Sequence, residues 1–447
     1  MSSYLITFIT IVCFLYYYFT RTFNYWKDRN VKGPTPIPFF GNFIEVFFRR
    51  KHVGVLYNEF YKQYPNEKFV GLYRMLSPTL LIRDLDMVKQ VLIKDSDCFP
   101  DRGLNFSKKL LGDNLFHASG DVAKVLRKPL SSVLTSSKFK ANFHVLANRA
   151  DKFIEFIDRA TMKDSELDVL PLFRRYGVDS IMTNAFGIDL DPYNEDNHIC
   201  DVMDARIQKT SFFLELELLF SGTLSKFEFS IFSDKVNQFC KQILQAGIEA
   251  APKTDQHRTM DILMAGQVLI FYAAGYANIS LLLSFAMFHL AQNLDAQEKL
   301  IHEIDEVLHK HDGKFTYDIL KEMKYIQMVF DETLRMHPLA NSVARNVGRN
   351  IQLDGTDFII HKDTVVAISP LSIQNDEKYY PEPEKFIPER FSPENVRDRH
   401  PCTMISFGLG PRSLGSKSVE SFLQASLSPR FSGDHHCGFW FSRVGLV

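Results

Sequence analysis

Three short motifs in the last third of the chain limit its fold most strongly. In chain order they are Glu332–Arg335, Phe386–Phe391 and Phe407–Arg412. A glutamate and an arginine three residues apart are common on any helix, and on a solvated surface such a pair contributes only about 0.2–0.5 kcal/mol. The first motif alone is therefore weak evidence, whereas the order and spacing of all three motifs are highly specific.

The order of these motifs resembles that of the cytochrome P450 family, and the resemblance covers nearly the whole chain. The wording of the motifs is most similar to that of insect microsomal detoxification members. The resemblance implies a mainly α fold with a small β region, the haem-thiolate monooxygenase fold, truncated or altered here at the C-terminus. It also implies that Glu332, Arg335 and Arg390 form a buried structural network that supports the third motif.

The third motif departs from the family pattern F-x-x-G-x-R-x-C-x-G at the cysteine that binds the haem iron. Phe407, Gly410 and Arg412 match the pattern, but Leu414 occupies the expected cysteine position and Gly415 comes one residue early. In haem-thiolate enzymes the thiolate donates electron density that favours O–O cleavage. No residue of this chain is therefore assigned as the metal ligand.

The tail at 414–447 also differs from the family, in which the cysteine begins a long apolar helix. A frame change or aberrant splicing near codon 414 is our hypothesis for both the missing residue and the serine-rich tail. Cys402, Cys437, His435 and His436 are alternative iron ligands by residue type. Each would require the loop to refold, so structural or solvent-exposed roles are expected for them.

Three arginines are candidates for binding the propionates of haem b, the cofactor that the resemblance implies. In the family such an arginine lies in a W-x-x-x-R helix, and here Arg127 holds that position with Ala123 in place of the tryptophan. Arg345 follows the Glu332 helix, where family members often place another, and Arg412 lies in the third motif. Guanidinium groups suit carboxylates. An ordinary surface role is the alternative for Arg127, because its aromatic partner is missing.

The oxygen-activation segment of the family, A/G-G-x-D/E-T-T/S, resembles Ala274–Ser280. The resemblance assigns to Gly275 the space that O2 needs, but Ala277 replaces the acid and Asn278 replaces the threonine. Asparagine forms hydrogen bonds but cannot relay a proton as a hydroxyl does. Ser280 is a chemical substitute, although it faces another side of the helix. The alternative for the segment is a buried helix with a gap made by small residues.

Two functions are consistent with these observations. The first is the reaction of the family, in which one oxygen atom of O2 enters a lipophilic small molecule with electrons from an NADPH-dependent flavoprotein reductase. In this chain we expect that activity to be impaired, because Leu414, Ala277 and Asn278 depart from the family pattern. The alternative is a non-catalytic membrane protein of the same fold, or the product of a frame-shifted or mis-spliced gene. A formal net charge of −1 gives no indication of a nucleic-acid partner.

The N-terminus predicts a membrane anchor. Tyr4–Thr20 carries no charge and is rich in large apolar residues, at the short end of the length needed for a membrane span. The positive charges after this segment predict that the body lies on the cytosolic face of the endoplasmic reticulum membrane. A cleaved signal peptide is the alternative. The predicted divisions are an anchor at 1–20, a basic and proline-rich hinge at 21–42, a cytochrome P450-like catalytic body at 43–413 and the atypical tail at 414–447.

Periodicity and breaker residues predict the remaining elements. The predicted strands are Val70–Tyr73, Thr79–Ile82, Asn350–Leu353, Phe358–Ile360 and Val365–Ile368. The predicted helices are Asp84–Lys94, Ala141–Leu170, Asp179–Phe186, Ser211–Leu244 (as two helices), Thr259–Gln292, Asp295–Lys310 and Tyr317–Pro338. Asp295 is the predicted N-cap of its helix, because an aspartate side chain accepts from the free amides of a first turn.

Overall fold

The computed structural model describes residues 2–102, 136–164, 166–194, 238–245 and 258–413, together with residue 219 and nine positions between 114 and 127. The described part is mainly helical with a small β region, which confirms the predicted fold class. Its helices are α1 (Ser2–Thr20), α2 (Ile44–Phe47), α3 (Val53–Gln63), α4 (Leu85–Lys89), α5 (Ser136–Lys163), α6 (Val169–Phe186), α7 (Arg258–Gln292), α8 (Leu294–Lys310), α9 (Tyr317–Leu320), α10 (Lys324–Met336), α11 (Pro370–Gln374) and α12 (Pro393–Val396).

Among the described residues, six short strands form two sheets. The strands are β1 (Phe69–Arg74), β2 (Ser77–Ile82), β3 (Val343–Asn346), β4 (Ile351–Gln352), β5 (Ile359–Ile360) and β6 (Val365–Ile368). The larger sheet has the order β1-β2-β6-β3, with β2 and β6 parallel and the other pairs antiparallel, and β4 pairs with β5. All four residues of β6 are buried, as its unbroken apolar sequence predicts.

The long helix α7 packs most extensively on α6, and each helix has a glycine at the crossing. A Cβ on Gly177 would lie 2.8 Å from the carbonyl oxygen of Tyr276, and a Cβ on Gly275 would lie 2.6 Å from Cδ1 of Ile181. Both distances are shorter than ordinary van der Waals contact. The two glycines therefore allow the backbones of α6 and α7 to approach closely.

Several predicted helices begin or end elsewhere in the structure. The stretch predicted as one helix at Ala141–Leu170 is interrupted, because α5 ends at Lys163 and Asp168 caps α6 by accepting from the backbone N–H of Leu170. Asp295 is not an N-cap, since it lies in the first turn of α8, where Asn293 occupies the cap position. Local helical pattern does not reveal such breaks when polar residues suit either conformation.

The other predicted helices divide or fall partly outside the described residues. Tyr317–Pro338 divides into α9, capped by Thr316, and α10. After α4, the predicted helix Asp84–Lys94 continues as a π-helical turn over Gln90–Lys94. Of Ser211–Leu244, only residues 219 and 238–244 lie within the described part of the chain, and they are helical.

In the part of the chain that the structure describes, two helices have the length and apolarity of a membrane span, at Ser3–Thr20 and Ala274–Gln292. The first exposes its apolar side chains along its whole length, whereas half of the second window is buried in the protein. The second is therefore a core helix, and the first is the candidate anchor. The segment after α1 is attached to the large sheet, because Trp26 is buried and its Nε1 donates to the carbonyl oxygen of Leu72 at 2.7 Å.

Candidate functional site

The loop at 405–413 is attached to the end of α10 by the side chain of Gln374. The amide nitrogen Nε2 of Gln374 donates to the carbonyl oxygens of Leu334 at 2.9 Å and Arg335 at 3.2 Å. Its oxygen Oε1 accepts from the backbone N–H of Ile405 at 3.0 Å and from the hydroxyl of Ser406 at 3.1 Å. All polar groups of this buried amide are therefore used, which fixes the start of the loop on α10.

The middle of the loop depends on Gly410. Its φ of +77° lies in the left-handed region, and a Cβ there would be 1.8 Å from the carbonyl oxygen of Leu92. Only glycine fits such a position without moving the backbone. On either side, Phe407 packs against the core between the helices and Leu409 packs against the core beneath the large sheet. The loop therefore joins the two cores.

Below the loop, the structure brings Glu332, Arg335 and Arg390 together. Nε and Nη2 of Arg335 donate to the two carboxylate oxygens of Glu332 at 2.7 and 3.0 Å, and both side chains are fully buried. Nε of Arg390 lies 3.3 Å from Oε1 of Glu332 as an ion pair, without the alignment of a hydrogen bond. A bidentate pair with a second arginine is the arrangement that a buried carboxylate requires.

The network reaches the second motif through the backbone. Arg335 also donates to the carbonyl oxygens of Gln374 at 3.0 Å and Pro383 at 2.8 Å. The backbone N–H of Ile387 donates to Glu332 at 3.0 Å. Glu332 and Arg335 thus connect the first motif to the second, and Gln374 connects the first motif to the residues directly before the third.

Four arginines from separate parts of the chain converge beside the end of the loop. Arg102 follows Pro100-Asp101, Arg127 lies in the helical residues 125–127, Arg345 is on β3 and Arg412 is in the loop. Arg102 donates to the carbonyl oxygen of Arg412 at 3.0 Å, and Arg127 donates to the carbonyl oxygens of Arg412 at 3.1 Å and Ser413 at 2.9 Å. We call these four residues the arginine cluster.

The arginine cluster is electrostatically strained. Burial, followed by repulsion from the other three arginines, lowers the pKa of Arg102 to about 9. Burial and repulsion from Arg412 and Arg127 lower the pKa of Arg345 to about 10, and burial also lowers the pKa of Arg127 and of Arg412. Asp101 opposes these effects only at Arg412, where its Oδ1 lies 3.7 Å from Nη2. An anionic ligand would therefore be bound strongly here.

The sequence singled out three members of the arginine cluster but not Arg102. Arg102 lies in an irregular segment with no motif around it, and its partners are up to 310 positions away in the chain. Arg345 was singled out only by its place after α10. The strand that carries it, β3, was not predicted from the sequence. No pattern in the sequence marks the convergence itself.

The segment at Ala274–Ser280 lies in the middle of α7. Gly275 faces Ile181 of α6, so its lack of a side chain is already required by helix packing. Ala277 and Asn278 are half-buried. The hydroxyl of Ser280 donates to the carbonyl oxygens of Tyr276 at 2.8 Å and Ala277 at 3.0 Å in its own helix. Ser280 is therefore engaged in backbone contacts and is poorly placed to replace the missing threonine.

The alternative iron ligands are only partly described. Cys402 is fully buried in the core beneath the large sheet, and burial raises the pKa of its thiol to about 11. A thiol with that pKa stays protonated and does not act as a thiolate ligand in this conformation. Leu414, His435, His436 and Cys437 lie outside the described residues. Within the described ranges, no group of three or more His, Cys, Asp or Glu side chains could hold a metal ion.

Comparison with known proteins points to the same family that the sequence motifs resemble. The model of the cytochrome P450 family matches residues 31–413. Cytochrome P450 6B5 of Papilio glaucus is 42% identical over 434 residues, which cover 90% of this chain and 91% of that protein. Cytochrome P450 6B2 of Helicoverpa armigera is 40% identical over 432 residues, which cover 90% and 86%. Cytochrome P450 6B4 of Papilio glaucus is 43% identical over 434 residues, with coverage of 90% and 86%.

Proposed function

Because the chain belongs to the cytochrome P450 family, we propose that it binds haem b beside the loop at 405–413 and that the arginine cluster holds the propionates. Members of this family are haem monooxygenases that act on lipophilic molecules with electrons from an NADPH-dependent reductase. The observation that carries the proposal is the convergence of Arg102, Arg127, Arg345 and Arg412 on one place next to the family's signature loop.

The arginine cluster fits the propionate side of haem. Two propionates bring two negative charges, which would offset the mutual repulsion that helps to lower the pKa of Arg102 and of Arg345. Guanidinium groups bind carboxylates through paired N–H donors, which suits several arginines sharing two carboxylates. The loss of the tryptophan at position 123 removes one donor of the family pattern, and Arg102 supplies additional donors nearby.

Other residues have separate roles around the proposed haem site. Bound haem supplies oxygen activation at its iron. Glu332, Arg335 and Gln374 hold the loop in place, because their hydrogen bonds reach its first residues and the segment before it. Gly275 sets the distance between α6 and α7. Asn278 stands where the family has a hydroxyl, so we expect proton delivery at that position to depend on water rather than on a side chain.

The residue expected to bind the haem iron is where this chain departs most from its family. Leu414 has no atom that binds iron, and Cys402 is a buried neutral thiol. We therefore propose that haem binds to the arginine cluster in the unaltered chain, whereas monooxygenase activity requires a thiolate that position 414 does not provide. Because the network, the loop and the arginine cluster are all present, we propose a haem-binding member of the family with impaired activity rather than a protein that has lost the haem site.

Haem binding can be tested on the full-length chain by titration with haem, followed by the Soret absorption. We expect one haem per chain, and we expect Arg102→Gln with Arg345→Gln to weaken binding at least about tenfold, because each charged hydrogen bond contributes about 1.5–3 kcal/mol. Arg397→Gln is the matched control, since the Arg397 side chain is 78% exposed. Equal affinity of the double variant and the control would contradict the proposed site.

Whether a thiolate binds the iron is tested separately, by the spectrum of the reduced, CO-bound protein. We expect a thiolate-type Soret band only after a cysteine is inserted between Ser413 and Leu414. Such a band in the unaltered chain would overturn the assignment of impaired activity. If haem binds but the inserted cysteine gives no band, the tail at 414–447 fails to support the ligand. Reading the transcript across codons 410–420 tests the frame-change hypothesis independently.

We also propose that α1 anchors the protein in the endoplasmic reticulum membrane, with the body on the cytosolic face. Aromatic rings continue from the end of α1 onto the body: Phe19 contacts Phe39 at a centroid distance of 4.8 Å, and Phe40 contacts Phe47 at 5.0 Å. Phe48 extends this row and is 53% exposed. Rings at the end of a span suit the membrane interface. We likewise propose, as predicted from the sequence, that residues 21–42 form the hinge and residues 43–413 the catalytic body.

The membrane proposal can be tested with Phe48→Trp in full-length protein reconstituted into vesicles. We expect brominated lipids to quench the new fluorescence, above the background of the two native tryptophans, because position 48 would lie at the interface. Val396→Trp is the control, since Val396 is also exposed but lies in α12. Equal quenching at positions 48 and 396 would contradict this orientation.

A further inference from the structure

Two histidines meet in the core between the helices. His289 lies near the end of α7 and is buried, and His337 directly follows α10. Their Nε2 atoms are 2.8 Å apart, which is a hydrogen-bond distance. One ring must donate and the other must accept, so the bond requires a proton on one Nε2 and none on the other.

Aromatic rings hold both imidazoles in fixed planes. His337 stacks on Phe285 of α7, with ring centroids 3.9 Å apart and an interplanar angle of 1°. His289 stacks on Phe386 of the second motif, at 4.8 Å and 2°. The two histidines therefore join α7, the end of α10 and the segment that contains Arg390. Neither ring can turn to another partner without losing a stacked neighbour.

The charges around the pair favour neutral rings. From α10, Arg335 acts on both histidines, while Glu332 is engaged by Arg335, Arg390 and Ile387. Lys385 directly precedes Phe386 in the chain and pairs with Glu382. From the turn before α8, the side chain of Asn293 donates to the carbonyl oxygen of His289 and carries no charge.

Burial, then His337 and Arg335, lower the pKa of His289 to about 4. Burial and Arg335 also lower the pKa of His337. Both histidines are therefore uncharged at neutral pH, in agreement with the hydrogen-bond geometry.

We propose that His289 and His337 are positioning residues that tie α7 to the network beneath the loop through a hydrogen bond that is lost when both rings carry a proton. His337 lies two residues after Arg335, and His289 lies on the helix that carries Ala274–Ser280. The pair thus connects the two structures between which haem is proposed to bind. Its role at the haem site rests on the proposed function, but the tie itself is a property of the protein without haem.

The expected pH dependence is set by the sign of the pKa shift. A base whose pKa is lower in the folded state binds its proton more readily when the chain unfolds. The stabilisation from the pair is therefore fully present above pH 6.5 and is lost as the pH falls from 6.5 towards 4. A purely apolar contact between α7 and α10 has no such dependence.

The first test is the exchange of the imidazole C2 hydrogen with deuterium, followed for each histidine by mass spectrometry in the haem-free, full-length protein. This exchange requires the protonated ring, so its dependence on pH gives the pKa. We expect a midpoint near 4 for His289 and one below 6.5 for His337, and we expect His337→Gln to raise the midpoint of His289. An unchanged midpoint in that variant would overturn the pairing.

The second test is backbone amide exchange at 285–292 and 334–338, with the loop at 405–413 followed in the same experiment. His289→Phe keeps the stacking on Phe386 but removes the hydrogen bond. We expect roughly tenfold faster exchange at neutral pH and a weaker dependence between pH 4 and 6.5, since only His337 of the pair still titrates. His302→Phe is the control, because the His302 side chain is 81% exposed.

If His289→Phe fails to fold, His289→Gln tests the titration alone: its amide can still bond to His337, so we expect near-wild-type exchange at neutral pH but a weaker dependence between pH 4 and 6.5. Equal exchange and equal pH dependence in wild type and variant would overturn the proposal. Failure of haem to bind would leave these measurements unaffected, so the two proposals can fail separately.

Discussion

At the scale of single residues, Arg335 shows how this fold accommodates a buried charge. Its guanidinium binds both oxygens of Glu332, and its remaining donors reach carbonyl oxygens from two later segments. The ring of Tyr380 lies 5.3 Å below the guanidinium carbon. A planar group with five donors satisfies all these partners at once, which a lysine cannot do.

We therefore expect Arg335→Lys to lower the free energy of unfolding by about 3–5 kcal/mol, because Glu332 would be left buried with its pairing broken. Urea unfolding followed by circular dichroism measures this loss. Arg397→Lys is the matched control and should change stability by less than about 0.5 kcal/mol, because its side chain is exposed. A loss for Arg335→Lys as small as the control would mean that the network does not stabilise the fold.

Asp179 is a second buried charge, with weaker compensation. Its carboxylate lies 3.4 Å from Arg149 and 3.2 Å from the hydroxyl of Tyr193, and burial outweighs both by raising its pKa to about 6. Arg149 lies closer to the exposed Asp189, at 2.5 Å, and this contact lowers the pKa of Asp189. The same arginine thus stabilises the exposed carboxylate more than the buried one.

The raised pKa of Asp179 predicts a stability that falls as the pH rises from about 4 to 6, by up to about 3 kcal/mol, because the folded state binds the proton more tightly than the unfolded state. Asp179→Asn should remove this slope. Asp189→Asn should instead remove a contribution that increases with pH, since the pKa of Asp189 is lowered. Thermal unfolding of the three proteins across this pH range measures both slopes, and equal slopes would contradict the assignment.

At the scale of elements, the crossing of α6 and α7 depends on two glycines with different neighbours. Gly177 faces the backbone of Tyr276, which cannot move without disturbing α7. Gly275 faces the end of the Ile181 side chain, which can adopt another rotamer. Substitution at the first position should therefore be more harmful than at the second.

We expect Gly177→Ala to destabilise the protein by about 2–3 kcal/mol and Gly275→Ala by about 1 kcal/mol. Combining Gly275→Ala with Ile181→Ala should cost less than the sum of the two single changes, because the new methyl group occupies space that the isoleucine leaves. Ile181→Ala alone is the control for the lost packing. Additive effects of the two changes would show that Gly275 and Ile181 are not in contact.

The elements also show how far the sequence predicts local structure. Val365–Ile368 was predicted with the observed bounds, since four consecutive apolar residues between polar turns suit a fully buried strand. β3 was missed, because Val343–Asn346 is short, contains an arginine and an asparagine, and becomes a strand only by pairing with β6. The break after Lys163 was missed for a similar reason, since a cap at Asp168 competes with a continuing helix over the same polar residues.

At the scale of the whole molecule, the arginine cluster assembles parts of the chain that are far apart in sequence. Motif spacing predicted Arg127, Arg345 and Arg412 because the family places arginines at those points. Arg102 required the folded chain, since its proximity to the others depends on the packing of the large sheet against the loop. A binding site of this kind is therefore only partly readable from a single sequence.

The repulsion within the arginine cluster predicts opposite effects on stability and on binding. Arg345→Gln should raise the free energy of unfolding of the haem-free protein by about 1 kcal/mol, because it removes one of four like charges, while it weakens haem binding. Urea unfolding without haem and haem titration measure the two effects, with Arg397→Gln as control. A loss of stability in the haem-free variant would show that Arg345 is already satisfied by the protein.

The amide of Gln374 has a consequence for insertions and deletions. Because its oxygen and its nitrogen each hold two partners, the chain at Ile405 and Ser406 cannot slide by one residue along α10 without exchanging donors for acceptors. Gly410 prevents sliding a second time, since any other residue would collide with Leu92. The alignment of the loop with α10 is thus fixed as far as Gly410. Leu414, where the sequence departs from the family pattern, lies after both fixed points. A deletion at position 414, as the frame-change hypothesis supposes, would leave the hydrogen bonds of Gln374 and the fit of Gly410 unchanged.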